Sequence, residues 1–230
     1  MNTNVNLEAA IAVLAFLGTA FVMGLAVLIF LHALSTRQGV RARRIGLGVS
    51  VWLGLYLALL LAFSFVSREQ ALAPGEEKYF CEIDCHLAYS VANVRKAKTL
   101  GSGPDEASAG GLFYVVTVRT RFDQTTISNG RDDSPLTPNS RIVNIRDEHG
   151  NTYNASAEGQ RALERSQGIG AALNTALRPG ESYTTELVFD LPADTKAPAL
   201  LIREGGMETR FIIGHENSFF HGKTTLRLES

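Results

Sequence analysis

Acidic residues are nearly absent from the first 66 positions of this 230-residue chain: of 23 Asp and Glu, only Glu8 falls there. Basic residues are almost as scarce, with Arg37, Arg41, Arg43 and Arg44 the only ones in that stretch. The remaining 164 residues carry 18 basic and 22 acidic groups, a net charge of −4 on a segment long enough to bury its own core. Cysteine is limited to Cys81 and Cys85, which excludes a disulfide-rich scaffold. No G-x-G-x-x-G, phosphate-loop or G-x-S-x-G pattern occurs, so nucleotide-binding and serine-hydrolase readings lack a motif. A formal net charge of −1 excludes a strongly basic nucleic-acid binder, and no nucleic-acid partner is expected.

Two uncharged runs fill the charge-poor stretch. Ala9 to Leu34 spans 26 residues, with His32 near its end, and Ile45 to Val66 spans 22. A hydrocarbon core of ~30 Å takes about 20 helical residues, so each run is long enough to cross. A buried helix of a soluble protein would show a polar face every three or four residues, and neither run does. The leading MNTNVNLE has no Lys or Arg, and the apolar run after it is too long for a cleavable signal. The Arg-rich loop from Ser35 to Arg44 is expected to stay in the cytoplasm.

The expected layout is an exported tail at 1–8, transmembrane helices at 9–34 and 45–66, and a cytoplasmic loop at 35–44. A linker at 67–78 and an exported β-sandwich domain at 79–230 follow. Both termini would lie on the non-cytoplasmic side of the inner (cytoplasmic) membrane. No acid or base lies within either span, which argues against a proton path. Ala20 and Gly24 in the first run, and Gly46, Ser50 and Gly54 in the second, recur at four-residue spacing. Such faces let helices approach closely, within this hairpin or against another membrane subunit.

The charged segment reads as strands. Cys81, Ile83, Cys85, Leu87, Tyr89 and Val91 alternate with more polar residues, the period of one half-buried strand. GSGPDEASAG at 101–110 reads as a loop, Leu112 to Phe122 as a strand, and 123–140 as a long loop with Pro135 and Pro138. Arg141 to Arg146 and Thr152 to Ala155 flank a hairpin turn at 147–151, and Ala157 to Ser166 is a short helix. Ser182 to Leu191, Ala199 to Arg203, Thr209 to Ile213 and Lys223 to Leu228 complete an antiparallel sandwich.

The segment Cys81-Glu82-Ile83-Asp84-Cys85-His86 has the clearest chemical potential, and four readings compete. On a regular strand the two cysteines would stand ~13 Å apart as buried small hydrophobes, too far to bond. A bulge or turn would instead allow a local disulfide in an oxidising compartment. Two thiolates and an imidazole suit copper or zinc, giving candidate metal ligands Cys81, Cys85, His86 and His221, with His215 and Met207 as further donors. Covalent haem is the fourth reading, since C-x-x-C-H is the attachment motif and this segment has one residue more. Of these, no cofactor is the leading expectation, with copper, zinc or haem as alternatives.

GHENSFFHGK at 214–223 is either a ligand cluster or a set of turn residues satisfying backbone groups. Asp123, Thr125, Thr126, Ser128, Asp132 and Asp133 show no twelve-residue calcium-loop pattern. No serine is marked as a nucleophile, so catalytic residues are not expected.

The runs FYVVTVRTRFD, RIVNIRDEHGNTY and LRPGESYTTELVFDLP resemble bacterial membrane-anchored immunoglobulin-like modules of the telomeric-repeat-binding-factor-like immunoglobulin superfamily, across roughly residues 79–228. That resemblance implies an immunoglobulin-like sandwich behind a membrane anchor, with no fixed active site. The layout of a two-helix hairpin before an exported sandwich also resembles cytochrome oxidase subunit II. The copper motif of that family has a His four residues after the second Cys, where this chain has Tyr89. Two functions follow as expectations: an accessory module contacting an envelope or membrane protein, or a metal- or haem-handling protein using the CEIDCH segment.

Overall fold

The computed structural model describes residues 2–81, 86–127 and 130–229, which fall into two compact units. One comprises residues 5–68 and 206–222, the other residues 1–4, 69–205 and 223–230.

In the first unit, α1 (Ala9–Ser35) and α2 (Gly39–Val66) form a hairpin. Both helices are long and apolar enough to cross a membrane. Only 0% and 11% of their most apolar windows are buried, the reverse of a soluble core helix. Leu14, Phe21, Leu28, Leu47 and Leu55 all stand exposed, side chains that water would not tolerate in such numbers. The Ser35 and Thr36 hydroxyls donate to the His32 carbonyl, capping the end of α1. Of the small residues at four-residue spacing, Gly46 faces Phe30 of α1 at 3.8 Å, whereas Gly24 and Gly54 have nothing within 4 Å. The hairpin therefore packs on itself at Gly46 and leaves the other glycines open.

The second unit is built from strands β1 (Asn2–Thr3), β2 (Gln70–Leu72), β3 (Lys78–Phe80), β4 (Leu87–Leu100) and β5 (Ala107–Phe122). They are followed by β6 (Arg141–Arg146), β7 (Thr152–Asn154), helix α3 (Ala157–Gln167), β8 (Ser182–Leu191), β9 (Ala199–Glu204) and β10 (Thr224–Arg227). Two five-stranded sheets result, ordered β1-β3-β4-β5-β8 and β2-β10-β9-β6-β7. Phe80, Tyr89, Val116 and Phe189 of the first sheet share one core with Ile145, Leu200, Ile202 and Leu226 of the second. The opposite face of the first sheet is also covered. Phe113, Val115 and Val188 point away from that core by strand alternation and meet Ala162 and Leu163 of α3. Ser156 caps α3 by accepting from the Gly159 amide at 3.1 Å.

Most strand pairs are antiparallel, as expected, but β1 with β3 and β2 with β10 are parallel. Each parallel partner is reached by a long excursion of chain rather than a hairpin, which is what parallel pairing requires. The segment expected as a linker carries β2 and the start of β3.

Three sequence expectations are corrected. The alternation from Cys81 to Val91 is not one strand: β3 ends at Phe80 and β4 begins at Leu87, and those two residues pair across a hairpin. Cys81 is disulfide-bonded, and Cys85 is the one other cysteine in the chain. A connection that reverses direction permits the close approach that a straight strand forbids. Residues 82–85, including Ile83 and Cys85, lie outside the described residues. Second, β5 begins inside the supposed loop, at Ala107, with Ala107 and Ser108 paired to Leu100 and Thr99 at the end of β4. The small residues there are compatible with a strand once a neighbour supplies the ladder. Third, Thr209 to Ile213 is not a strand; Glu208–Phe211 forms a 3-10 turn.

Gly159 sits where α3 meets the sheet. A Cβ there would lie 2.6 Å from Val188 Cγ1 and 2.9 Å from Phe113 Cε1. Gly159→Ala is therefore expected to destabilise the protein by ~1–3 kcal/mol through overpacking. At about 2–4 °C per kcal/mol for a domain of this size, thermal unfolding of the solubilised chain would show a drop of several degrees.

Candidate functional site

Two regions of the strand unit carry unsatisfied or concentrated chemistry. The first lies where β3, the hairpin connection and the end of β5 meet. Arg121 forks onto Glu77, with Nε donating to Oε1 at 2.7 Å and Nη2 to Oε2 at 2.6 Å. The same Nη2 reaches Tyr79 Oη at 2.9 Å and Asp123 Oδ2 at 3.1 Å. Tyr79 donates to Asp123 Oδ2 at 2.7 Å, and the Thr125 amide and hydroxyl donate to Oδ1 at 2.9 and 2.7 Å. Cross-strand register explains the cluster. Tyr79 pairs with Ala88, and Ala88 with Arg121, so three neighbouring strands bring these side chains onto one face.

His86 borders this network. Its Nδ1 is 2.6 Å from Thr126 Oγ1, its carbonyl accepts from the Asp123 amide at 2.8 Å, and its ring stacks on Phe122 at 5.3 Å. The Arg131 guanidinium lies 5.0 Å from the Phe122 ring centre. The residues that sequence reasoning missed here are Glu77, Tyr79 and Arg121. Their spacing carries no motif, and only sheet register joins them.

The electrostatics follow from the bonding. Hydrogen bonds from Arg121 pull the Glu77 carboxyl below its usual range, against a smaller opposing effect of burial. Burial by itself would raise Asp123, but the donors Tyr79, Thr125 and Arg121 outweigh it and hold the carboxyl far below the carboxylate range. Burial first, and then the two carboxylates that it bonds, push the Tyr79 phenol well above its normal value. The outcome is a mutually satisfied cluster of two carboxylates, one guanidinium and a neutral phenol. It has no group poised near neutrality to transfer a proton.

The four residues named as candidate metal ligands divide between the units: Cys81 and His86 belong to one, His221 to the other, and Cys85 lies outside the described residues. Nδ1 of His221 is 2.7 Å from the Gly222 carbonyl. A disulfide sulfur is not a thiolate donor, so metal binding by the cysteines would need prior reduction. Among the described residues no three His, Cys, Asp or Glu side chains converge on a metal-sized position. His215 and Ser218 act within the 206–222 segment as turn residues: Nδ1 of His215 accepts from the Asn217 amide at 2.9 Å, and Ser218 Oγ donates to the Ile212 carbonyl at 2.7 Å.

The second region is the outer edge of β8, the last strand of its sheet. Half of that edge is closed. Gln160 of α3 donates to the Glu186 carbonyl at 3.2 Å and accepts from the Val188 amide at 3.1 Å, and the Ser156 amide donates to the Val188 carbonyl at 2.7 Å. These bonds fix which residues face outward. By strand alternation the Thr184 amide and carbonyl, and the Glu186 amide, face the same way. Among the described residues those three groups have no partner. They open onto a groove of about 570 Å³ lined by Leu163, Gln167, Ile169, Ala171, Leu173 and Leu187. Ile169 is 88% exposed at its rim.

The network's stability contribution depends on pH in a defined direction. Asp123 and Glu77 have folded pKa values below their ordinary values of 3.8 and 4.5. Each therefore stabilises fully above its unfolded value, and the contribution is lost as pH falls toward the folded value. Thermal stability of the wild type is expected to be flat above about pH 5.5 and to fall steadily below it. Asp123→Asn is expected to be less stable at pH 7 and to show a shallower acid slope, measured by melting curves across pH 3–7.

No curated protein matches the chain. A conserved hypothetical protein from Bacillus anthracis, known from a crystal structure, aligns over 51% of this chain and 81% of its own, at 15% identity and a TM-score of 0.38. MPT63, a secreted protein from Mycobacterium tuberculosis, aligns over 60% of this chain and 91% of its own, at 14% identity and a TM-score of 0.38. The family model described as Domain of unknown function (DUF4352) matches residues 83–210, more than half of the sequence, and the chain belongs to that family.

Proposed function

We propose that the protein is a membrane-anchored, exported module with an immunoglobulin-like sandwich that captures an extended segment of an envelope or membrane protein along the open half of β8. The carrying observation is the half-closed edge. Gln160 and Ser156 satisfy the Glu186 carbonyl and both outward groups of Val188, while the Glu186 amide and the amide and carbonyl of Thr184 are left to a partner. An extended peptide laid antiparallel to β8 would exchange two hydrogen bonds with Thr184 and seat an apolar side chain against Ile169 and Leu173.

The orientation reading is supported by pairing within the strand unit. Asn2 and Thr3 precede α1, yet they pair with Lys78 and Tyr79, which follow α2. If the helices cross a membrane, both segments must lie on the same side, as two spans require. The four arginines between the helices favour the side opposite the cytoplasm for both segments.

Thr184→Pro removes the amide that an added strand would use without touching the core, since edge strands tolerate proline. A photo-crosslinking residue at Ile169 in native membranes is expected to give a discrete adduct that Thr184→Pro abolishes. The same residue placed at Glu148, on the hairpin turn after β6, should give none. Equal adducts at both positions, or an adduct indifferent to Thr184→Pro, would overturn strand capture at β8.

A further inference from the structure

The segment from residue 206 to 222, between β9 and β10, belongs to the helical unit rather than to the strands on either side of it. Its contacts show why. Val5 forms a bridge with His215, and the Asn6 amide donates to the Gly214 carbonyl at 2.8 Å. Asn6 Nδ2 donates to the Phe63 carbonyl at 3.0 Å, and the Gly222 amide donates to Ser67 Oγ at 2.7 Å. Gly214 has φ +76°, and a Cβ there would lie 2.6 Å from Asn6 Oδ1 and 2.8 Å from Leu7 Cβ, so only glycine fits this approach.

The segment also runs alongside α2, not merely past its end. Tyr56 Oη donates to the Phe211 carbonyl at 2.7 Å. Tyr56 precedes the last residue of α2, Val66, by ten positions, about 15 Å at 1.5 Å per residue, more than a tyrosine side chain spans. Phe211 therefore sits beside the apolar body of the helix. Nearer the helix end, Phe220 stacks on Phe65 at 5.8 Å between ring centres. Phe220 holds φ +64°, a conformation bulky residues avoid unless their neighbours fix it.

The segment exposes four large apolar side chains, with the charged Glu208 and Arg210 also exposed near its start, and it buries Ile212 and Ile213 beside polar groups. Met207, Phe211, Phe219 and Phe220 are exposed, continuous with the exposed Phe65 and Val66 of α2. His215, Glu216 and Ser218 are buried. Turn bonds from the Ser218 amide to the His215 carbonyl and from the His221 amide to the Ser218 carbonyl satisfy the backbone locally. Irregular backbone at membrane depth must have its polar groups satisfied by protein, and these turn bonds supply part of that.

We infer that residues 206–222 form a third membrane-contacting element, an aromatic loop seated in the lipid leaflet at the C-terminal end of α2 with Phe219 and Phe220 facing acyl chains. The occupant of this face is lipid because the patch continues the lipid-exposed surface of α2. The inference rests on the membrane reading of α1 and α2, and the test separates the two.

Trp52 is the single tryptophan and lies on α2, so the wild type reports the span itself. Full-length protein is reconstituted into bilayers with and without lipids brominated along the acyl chain. Trp52 emission in the wild type and emission from Phe220→Trp in a Trp52→Phe background are then compared. Both are expected to be blue-shifted and to lose intensity in brominated lipid. A quenched Trp52 with a water-like, unquenched Phe220→Trp would overturn the loop inference and leave the spans intact, and an unquenched Trp52 would overturn both. Phe219→Trp provides the same readout if the strained position does not accept the larger ring. A tryptophan that is blue-shifted but unquenched at both positions would mean a protein contact in place of lipid and would also overturn the inference.

Discussion

Strand β1 lies before the helical hairpin and completes a sheet whose next strand lies after it. Asn2 and Thr3 pair with Lys78 and Tyr79, so the strand unit closes only when the chain has gone out and come back. Asn4, just beyond β1, ties this seam to both sheets: its Oδ1 accepts from the Cys81 amide at 2.9 Å, and its Nδ2 donates to Glu204 Oε1 at 2.9 Å. Lys78 makes a second cross-tie. Its fully buried ammonium leaves the first sheet to donate to the carbonyls of Ile202 at 2.7 Å and Thr224 at 3.0 Å in the second, with the Phe80 ring 4.9 Å away. A buried ammonium is tolerable only when its protons are satisfied in this way. Sheet closure, the hairpin at Cys81 and the register of the Arg121 network all depend on this seam.

The parts of the strand unit divide by rigidity. The Arg121–Glu77–Tyr79–Asp123 cluster is saturated with charge-assisted bonds and reads as a brace for the β3–β4 connection and the end of β5. The edge of β8 is the opposite case, with backbone groups half capped by one glutamine. Soluble proteins protect strand edges against unwanted pairing. In the strand capture we propose, a partial cap that stops at Glu186 would limit where a segment could add and would fix its register.

Legibility in the sequence followed the strength of the local signal. The two apolar runs and the strands at 141–146 and 182–191 were readable because composition or alternation alone determines them. The CEIDCH segment misled because hydrophobic alternation continued through a reversal, and periodicity does not register a hairpin whose turn lacks glycine or proline. The strand at 107–111 was hidden in small residues with no intrinsic β preference, held by pairing to Thr99 and Leu100. Lys78 and Arg121 looked like ordinary surface charges. Their partners are set by strand register and by the packing of one sheet on the other, which no short window contains.

The orientation we propose puts the strand unit, residues 2–4 included, across the bilayer from the arginine loop. Cys81 is disulfide-bonded, so single introduced cysteines can report sidedness with a membrane-impermeant thiol reagent on cells lacking an outer barrier. Glu158→Cys on α3 should react in intact cells, and Gln38→Cys between the helices should react only after permeabilisation. The reverse pattern, or reaction of both in intact cells, would contradict the account.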